Sequence, residues 1–328
     1  MRKELYIKAD NYNIKFSTDC ENSINYILEH LDEFKKVTIN FSIVKEQNYD
    51  FLINYMDKAK TNHVLNSSNE MIVEFPWNLN DKKSILPIVF RQVVELLRQE
   101  NDEIKLHASA IEKAGKVALF IAPSEGGKTT TAMAMCQKFN YSFLANDASV
   151  VKFKGNIPFM LRGDQEFKVR LNSLKAYSKK YYEDELTKFN DNKELWYNKS
   201  KIKPTDIGVN LSTGVNVITH IFFIKLDTLV DGCIINHYNS NKNVDKWFKP
   251  KMQIFQNING TIRGGDLIPY GNDGIILDIV ISSLDTDELY KRRVKFINDL
   301  FNSCEIYQLR GQLDDITIFV NERMKNSE

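Results

Sequence analysis

The stretch Ala122-Pro123-Ser124-Glu125-Gly126-Gly127-Lys128-Thr129 constrains this chain more than any other. It follows the apolar run Val117-Ala118-Leu119-Phe120-Ile121 and leads into Thr130-Thr131-Ala132-Met133-Ala134-Met135-Cys136, which reads as a helix. A strand, a small-residue loop closing on Gly-Lys-Thr, then a helix is the layout of a phosphate-binding P-loop. Backbone N–H groups of such a loop turn inward on phosphate oxygens, and the helix N-terminus adds partial positive charge. Here Ser124, Glu125, Gly126, Gly127 and Thr130 would line the cradle, and Lys128 would reach the outer phosphates. The Thr129 hydroxyl would take a place on Mg²⁺. Ala122 stands where the pattern has Gly, which requires a backbone without positive φ at that position.

A chain of 328 residues is long enough for about two domains. Its 43% apolar and 11% aromatic content can bury an ordinary core. Net charge is +1, from 44 basic and 43 acidic residues, which gives no electrostatic case for nucleic acid or an acidic membrane. Cys20, Cys136, Cys233 and Cys304 lie far apart, without CxxC spacing or a nearby His. That pattern suits reduced thiols in the cytoplasm and argues against zinc. The start, Met1-Arg2-Lys3-Glu4-Leu5-Tyr6, alternates in charge and carries no signal-peptide apolar region. No apolar run approaches the roughly 18 residues of a membrane span. The expectation is a cytoplasmic protein with no membrane or nucleic-acid partner.

Residues 1–100 read as a small α/β module of their own. Strands are expected at 5–8, 14–17, 37–44 and 71–75, where apolar residues alternate or β-branched ones cluster. A helix is expected over 20–36, where Ile24, Ile27, Leu28, Leu31 and Phe34 make a stripe. Another is expected over 84–100, with Ile85, Ile88, Val89, Val93, Leu96 and Leu97 on one face and Ser84 as N-cap. Residues 101–328 then form a second domain. Strands are expected at 106–112, 116–121, 141–145, 149–153, 219–226, 233–237 and 305–309, and helices after the loop, at 287–301 and at 316–324. Residues 179–206 are polar and charged around Tyr181, Tyr182, Trp196 and Tyr197. They read as an insert, either a lid over an acceptor or a surface excursion.

Two residues bracket the loop. His107 precedes the P-loop strand, in Lys105-Leu106-His107-Ala108-Ser109-Ala110, and Asp147 ends the following one, in Leu144-Ala145-Asn146-Asp147-Ala148. Side by side in a sheet, these strand ends and the loop would share one edge, where open α/β sheets place their ligands.

With these elements the segment 106–151 resembles the catalytic core of the HPr kinase/phosphorylase family and its relatives. Those share a nucleotide fold with ATP-type phosphoenolpyruvate carboxykinases. The family pattern is a His before the strand, a loop of G-x-S-G-x-G-K-[ST] type, and an acidic pair after the next strand. His107 matches the first, Ser124, Gly127, Lys128 and Thr129 the second, and Asp147 the second acid of the pair. Echoes follow at Ile157-Pro158-Phe159-Met160-Leu161-Arg162 and Ile306-Tyr307-Gln308-Leu309-Arg310. The chain departs from the pattern at Ala122 and Glu125, where the family has Gly, and at Asn146, which replaces the first acid. It also lacks the family's signature for the phosphorylase reaction and for docking HPr. The resemblance therefore implies a P-loop kinase domain of HPr kinase/PEP-carboxykinase-like type rather than a kinase of HPr itself.

What the resemblance implies is an ATP-dependent kinase passing the γ-phosphate to a hydroxyl. The acceptor would be a Ser of a protein or peptide, or a small-molecule alcohol; ATP is not separated from GTP, and a homo-oligomer stays open. Asp147 would be the general base, with a water-mediated Mg²⁺ ligand or a turn cap as the other readings. His107 would hold Asp147 or stabilise the transferring phosphoryl group, against the plainer role of a satisfied core residue. Ser124 would donate to a phosphate or simply close the turn. Arg162, Arg170 and Arg263 are the candidate cations opposite the γ-phosphate, Arg263 from the glycine-rich run Gly260-Thr261-Ile262-Arg263-Gly264-Gly265-Asp266. Two other classes remain: a P-loop ATPase or switch acting on a partner, and a nucleotide-binding module with a degenerate loop.

Overall fold

The computed structural model describes residues 2–59, 62–77, 85–123, 125–170, 182–183, 199–212, 214–238 and 284–326. Ser124, Tyr181, Trp196, Tyr197 and the Arg263 run lie outside them. The chain is mixed α/β and divides into two units, Met1–Asp102 with Gln256–Arg292, and Glu103–Phe255 with Arg293–Glu328. The sequence reading put its boundary close to the first break but left 256–292 with the second domain. Leu284 and Leu289 explain the difference, since both are buried in the core of the first unit. Arg292 also donates there, to the Gln99 carbonyl.

The first unit carries β1 (Lys3–Ala9), β2 (Tyr12–Thr18), α1 (Glu21–Glu29), α2 (Leu31–Val37), β3 (Phe41–Val44), β4 (Phe51–Met56), β5 (Asn62–Ser67), β6 (Glu70–Glu74) and α3 (Leu86–Glu100). Its sheet runs β3-β1-β2-β4-β6-β5. Inward residues such as Ile7, Ile14, Phe16, Ile53 and Val73 alternate with more exposed ones, as a sheet covered on one face requires. Phe90 of α3 meets Phe16, Phe34 and Phe41 in edge or tilted ring contacts 5.4–5.9 Å apart. Beside this apolar core lies a buried ion network. Arg98 Nε donates to Asp10 Oδ2 at 2.9 Å and Nη1 to Glu95 Oε2 at 2.9 Å, with all three side chains at most 1% exposed. Asp10 Oδ1 in turn accepts from the backbone N–H groups of Ile39 and Asn40. Three chain segments are thereby tied together.

Two expectations change in this unit. The stripe over 20–36 is broken at His30 into α1 and α2, with the His30 ring stacked 4.2 Å from Tyr26 and its N–H returning to Tyr26 O. The strand expected at 37–44 begins only at Phe41, because the Thr38 hydroxyl donates to Phe34 O and holds the helix end.

The second unit carries β7 (Glu103–Leu106), β8 (Ala108–Lys113), β9 (Lys116–Ile121), α4 (Lys128–Phe139), β10 (Ser142–Ala145), β11 (Ser149–Lys154), β12 (Ile157–Gly163), β13 (Phe167–Arg170), β14 (Lys199–Ile202), β15 (Asn216–Leu226), β16 (Cys233–His237), α5 (Asp287–Ser303), β17 (Glu305–Gly311) and α6 (Leu313–Asn326). The division between units runs through α5. β9 is buried on both faces, as a central strand is, and lies between antiparallel β8 and parallel β15. β15 is also parallel to β17 over His220 to Leu226, while its start pairs with β12. The sheet therefore forks at β15, and the carboxyl ends of β9, β15 and β17 face the same way. α4 and α6 join Phe120, Phe222 and Leu309 in one core. β13 and β14 pair antiparallel with each other, β14 lying within the polar insert, and Tyr182 packs against this core.

The expected single strand over 106–112 is two strands. β7 pairs with β11, whereas β8 pairs with β9 and β10. The chain changes partners at His107, which thus sits in the break rather than inside a strand.

Candidate functional site

The site stands on the carboxyl end of β9. The Gly126 N–H donates to Pro123 O at 3.0 Å, folding the loop back, and Thr131 N–H donates to Gly127 O to open α4. Gly127 sits at φ +102, and a Cβ there would lie 2.4 Å from Leu226 Cγ. Leu226, at the end of β15, also donates its N–H to Gly126 O at 3.1 Å, so the neighbouring parallel strand clamps the loop. Among the described residues no side chain caps α4 at its N-terminus. A helix N-terminus of this kind turns its first N–H groups toward the loop, the direction from which an anion would approach. Ala122 is not among the residues with positive φ, which meets the condition its Cβ imposes. Glu125 is at φ +67, so the backbone keeps the left-handed turn although a side chain replaces Gly.

Lys128, Asp147 and His107 come together over this loop. Lys128 is 6% exposed, and its Nζ lies 3.0 Å from His107 Nε2 and 3.8 Å from Asp147 Oδ1. His107 Nδ1 lies 3.1 Å from the Asp147 carbonyl oxygen, and its Nε2 3.9 Å from Asp147 Oδ1. A carbonyl only accepts and an ammonium only donates, so the partners assign the neutral tautomer with the proton on Nδ1. Burial lowers the His107 pKa below its usual value, and the Lys128 cation pushes it the same way against the pull of Asp147. Asp147 itself is at φ +57, in a three-residue turn closed by Ala148 N–H on Asn146 O at 2.6 Å. That turn is held from outside: Asn146 N–H donates to Asp164 O and Asp164 N–H to Ala148 O. Asp164 follows Gly163, where any Cβ would strike Ala145 and the Ala148 carbonyl.

Thr129 reaches the same turn by a different route. Its hydroxyl donates to Asn146 Oδ1 at 2.7 Å, and the Ser109 hydroxyl donates to the same oxygen at 3.1 Å. Asn146 Nδ2 donates to Glu166 O at 3.2 Å. Asn146 and Ser109 are fully buried. Ser109, on β8, was not singled out from sequence. Leu226 carried no local signal at all. Thr130 follows in α4, partly exposed.

Arg162 is engaged elsewhere. On β12 it forms an ion pair with Glu103 of β7 across β11, with both side chains largely buried. Arg170 lies in β13. Among the described residues no group of three or more His, Cys, Asp or Glu could hold a metal ion. No helix among them is long and apolar enough to cross a membrane.

No family model matches the chain, and no curated protein does. Among solved structures the chain is similar to the Hpr(Ser) kinase/phosphatase from Coxiella burnetii, at a TM-score of 0.26 and 10% identity, over 49% of this chain and 94% of that one.

Proposed function

We propose that the second unit is a nucleotide-dependent phosphotransferase of P-loop kinase type, using ATP or GTP with Mg²⁺. It would pass the γ-phosphate to a hydroxyl of a protein or peptide Ser, or of a small alcohol. The observation that carries this reading is a buried lysine, a neutral histidine and a carboxylate within 3.0–3.9 Å of one another at the N-terminus of α4.

Phosphoryl transfer asks mainly for positioning and for charge where the phosphoryl oxygens spread. Lys128 Nζ and the first N–H groups of α4 would hold the terminal phosphates. Asp147 Oδ1, 30% exposed at the side chain, is the group open to an incoming hydroxyl and would take its proton. His107 would keep Lys128 and the Asp147 turn in register through its two ring nitrogens. The donor set fits a magnesium nucleotide: one hydroxyl and one nearby carboxylate suit a cation that takes its other ligands from phosphate and water. Thr129 Oγ1 would hold the ion, with Asp147 through water, and the ion would supply neutralisation of phosphate charge. Ser124 would be a further phosphate donor.

The test follows γ-³²P from ATP in lysate of the source organism, depleted in turn of small molecules or of protein, with wild type beside Lys128→Ala. Label on a protein, peptide or metabolite that disappears with Lys128→Ala supports the kinase. Label released only as free phosphate turns the reading to an ATPase, and label left in ATP turns it to a binding module.

A further inference from the structure

Asn146 occupies the position of the missing acid, yet its surroundings are built for an amide. Its Oδ1 faces two hydroxyl donors, Thr129 and Ser109, while its Nδ2 faces the Glu166 carbonyl. A carboxylate here would set one oxygen against that carbonyl oxygen, with no proton between them. The side chain is fully buried and its main-chain N–H is bound to Asp164 O at 2.6 Å, so the amide has no freedom to turn.

The consequence falls on Thr129. A hydroxyl has one proton to give and two lone pairs. At 2.7 Å that proton is committed to Asn146, so the oxygen can act toward the loop only as an acceptor. A hydroxyl fixed in this way is an oxygen ligand waiting for a cation, and Ser109 holds the amide that fixes it. At the same time the exchange of an acid for an amide leaves Asp147 without a carboxylate neighbour at position 146. With no cluster of three acidic or other ligating side chains among the described residues, bare protein offers a divalent cation little.

We infer that Asn146, backed by Ser109, is a positioning residue that presents the Thr129 oxygen to a divalent cation, and that the cation enters only as its nucleotide complex. This rests on the phosphotransferase reading and adds to it an order of loading: the phosphates bring the metal, and the protein supplies one pre-aimed neutral oxygen. Outer groups that orient a ligand are commonly worth 10–100-fold in metal affinity.

The test uses Mn²⁺ as the spin probe and a fluorescent ADP analogue, so that turnover plays no part. Wild type alone should leave the free-Mn²⁺ resonance unchanged and should deplete it once ADP is added. The affinity for the ADP analogue should rise when Mn²⁺ replaces EDTA. Asn146→Ala should cut that Mn²⁺-dependent rise by about 10–100-fold while affinity in EDTA stays put. A merely structural role would lower both. Ser109→Ala should move the same way by less, and decides the matter where Asn146→Ala fails to fold. Mn²⁺ bound by wild type without nucleotide overturns the inference, as does an unaltered rise in Asn146→Ala or, where that variant fails to fold, in Ser109→Ala. Failure of wild type to bind the ADP analogue with or without Mn²⁺ overturns the phosphotransferase reading beneath it.

Discussion

Replacing Gly127 by Ala strikes the loop where the fold is least forgiving. The residue is at φ +102, and an L-residue held in a positive-φ conformation costs about 1–2 kcal/mol. The new Cβ would lie 2.4 Å from Leu226 Cγ and 2.5 Å from Cδ1, far inside carbon contact distance. Overpacking of this kind costs about 1–3 kcal/mol. The sum is about 2–5 kcal/mol, placed on the strand end that clamps the loop. Leu226→Ala removes both offending atoms and keeps Cβ, which is 3.3 Å away and tolerable with a small shift. The backbone bond from Leu226 N–H to Gly126 O survives in either variant. Relative to Leu226→Ala, which carries its own loss of packing, the double variant should therefore show only the backbone part of the Gly127→Ala cost, a coupling of about 1–3 kcal/mol in the rescuing direction. Urea unfolding of wild type, both single variants and the double variant measures it, with affinity for a fluorescent nucleotide in parallel. Additivity within about 0.5 kcal/mol would show that Leu226 does not press on the loop. Full stability of Gly127→Ala alone would remove the positive φ as well.

Asp147→Asn should keep nucleotide affinity and lower γ-phosphate transfer by about 10²–10⁴, the range a positioned base supplies, and unchanged transfer in a filter assay would take the base role from it. His107 and His220 both have native pKa values pushed below the ordinary one, chiefly by burial. Between the lowered native values and the unfolded value of about 6.5 the unfolded chain binds protons the native one does not, so stability should fall as pH drops through that window. His107→Gln should flatten part of that slope in melts between pH 5 and 8, leaving the part due to His220; a slope identical to wild type speaks against a buried neutral His107. Arg98→Ala should cost about 3–5 kcal/mol, because Asp10 and Glu95 are left buried without their cation, and chemical denaturation reads the loss directly. A cost near zero would mean that the network is solvated.

What the sequence disclosed was local. Gly126, Gly127, Lys128 and Thr129 announce a tight turn from strand into helix because adjacent residues determine its backbone and its helix start. Helix α3 was readable from one face of apolar residues, with its start two residues late in the structure. Strand β4 was not, since Phe51 to Met56 is a nearly continuous apolar run flanked by parallel β2 and β6, and such a run lacks alternation. Nor was the break at His107 visible, because it is set by which distant strands β7 and β8 pair with. The same limit separated Arg162 from its partner Glu103, brought near only through β11.

Asn146 shows where this limit bears on function. Compared position by position with a family pattern, it is a lost carboxylate and a weaker site. Its bonds, however, come from β8 through Ser109, from α4 through Thr129, and from the Asp164–Glu166 turn. Each of those segments is remote in sequence from the others, and together they accept an amide and penalise an acid. The charge that results is spare: Lys128 and Asp147 offset one another, His107 is neutral, and position 146 contributes none. Under the proposed function a nucleotide would turn its phosphates toward Lys128 and the N-terminus of α4, where the only full positive charge is already shared with Asp147. On that proposal the remaining negative charge would be met by a cation that travels with the nucleotide, and the substitution that looks like decay would be the one that makes the metal arrive with its substrate.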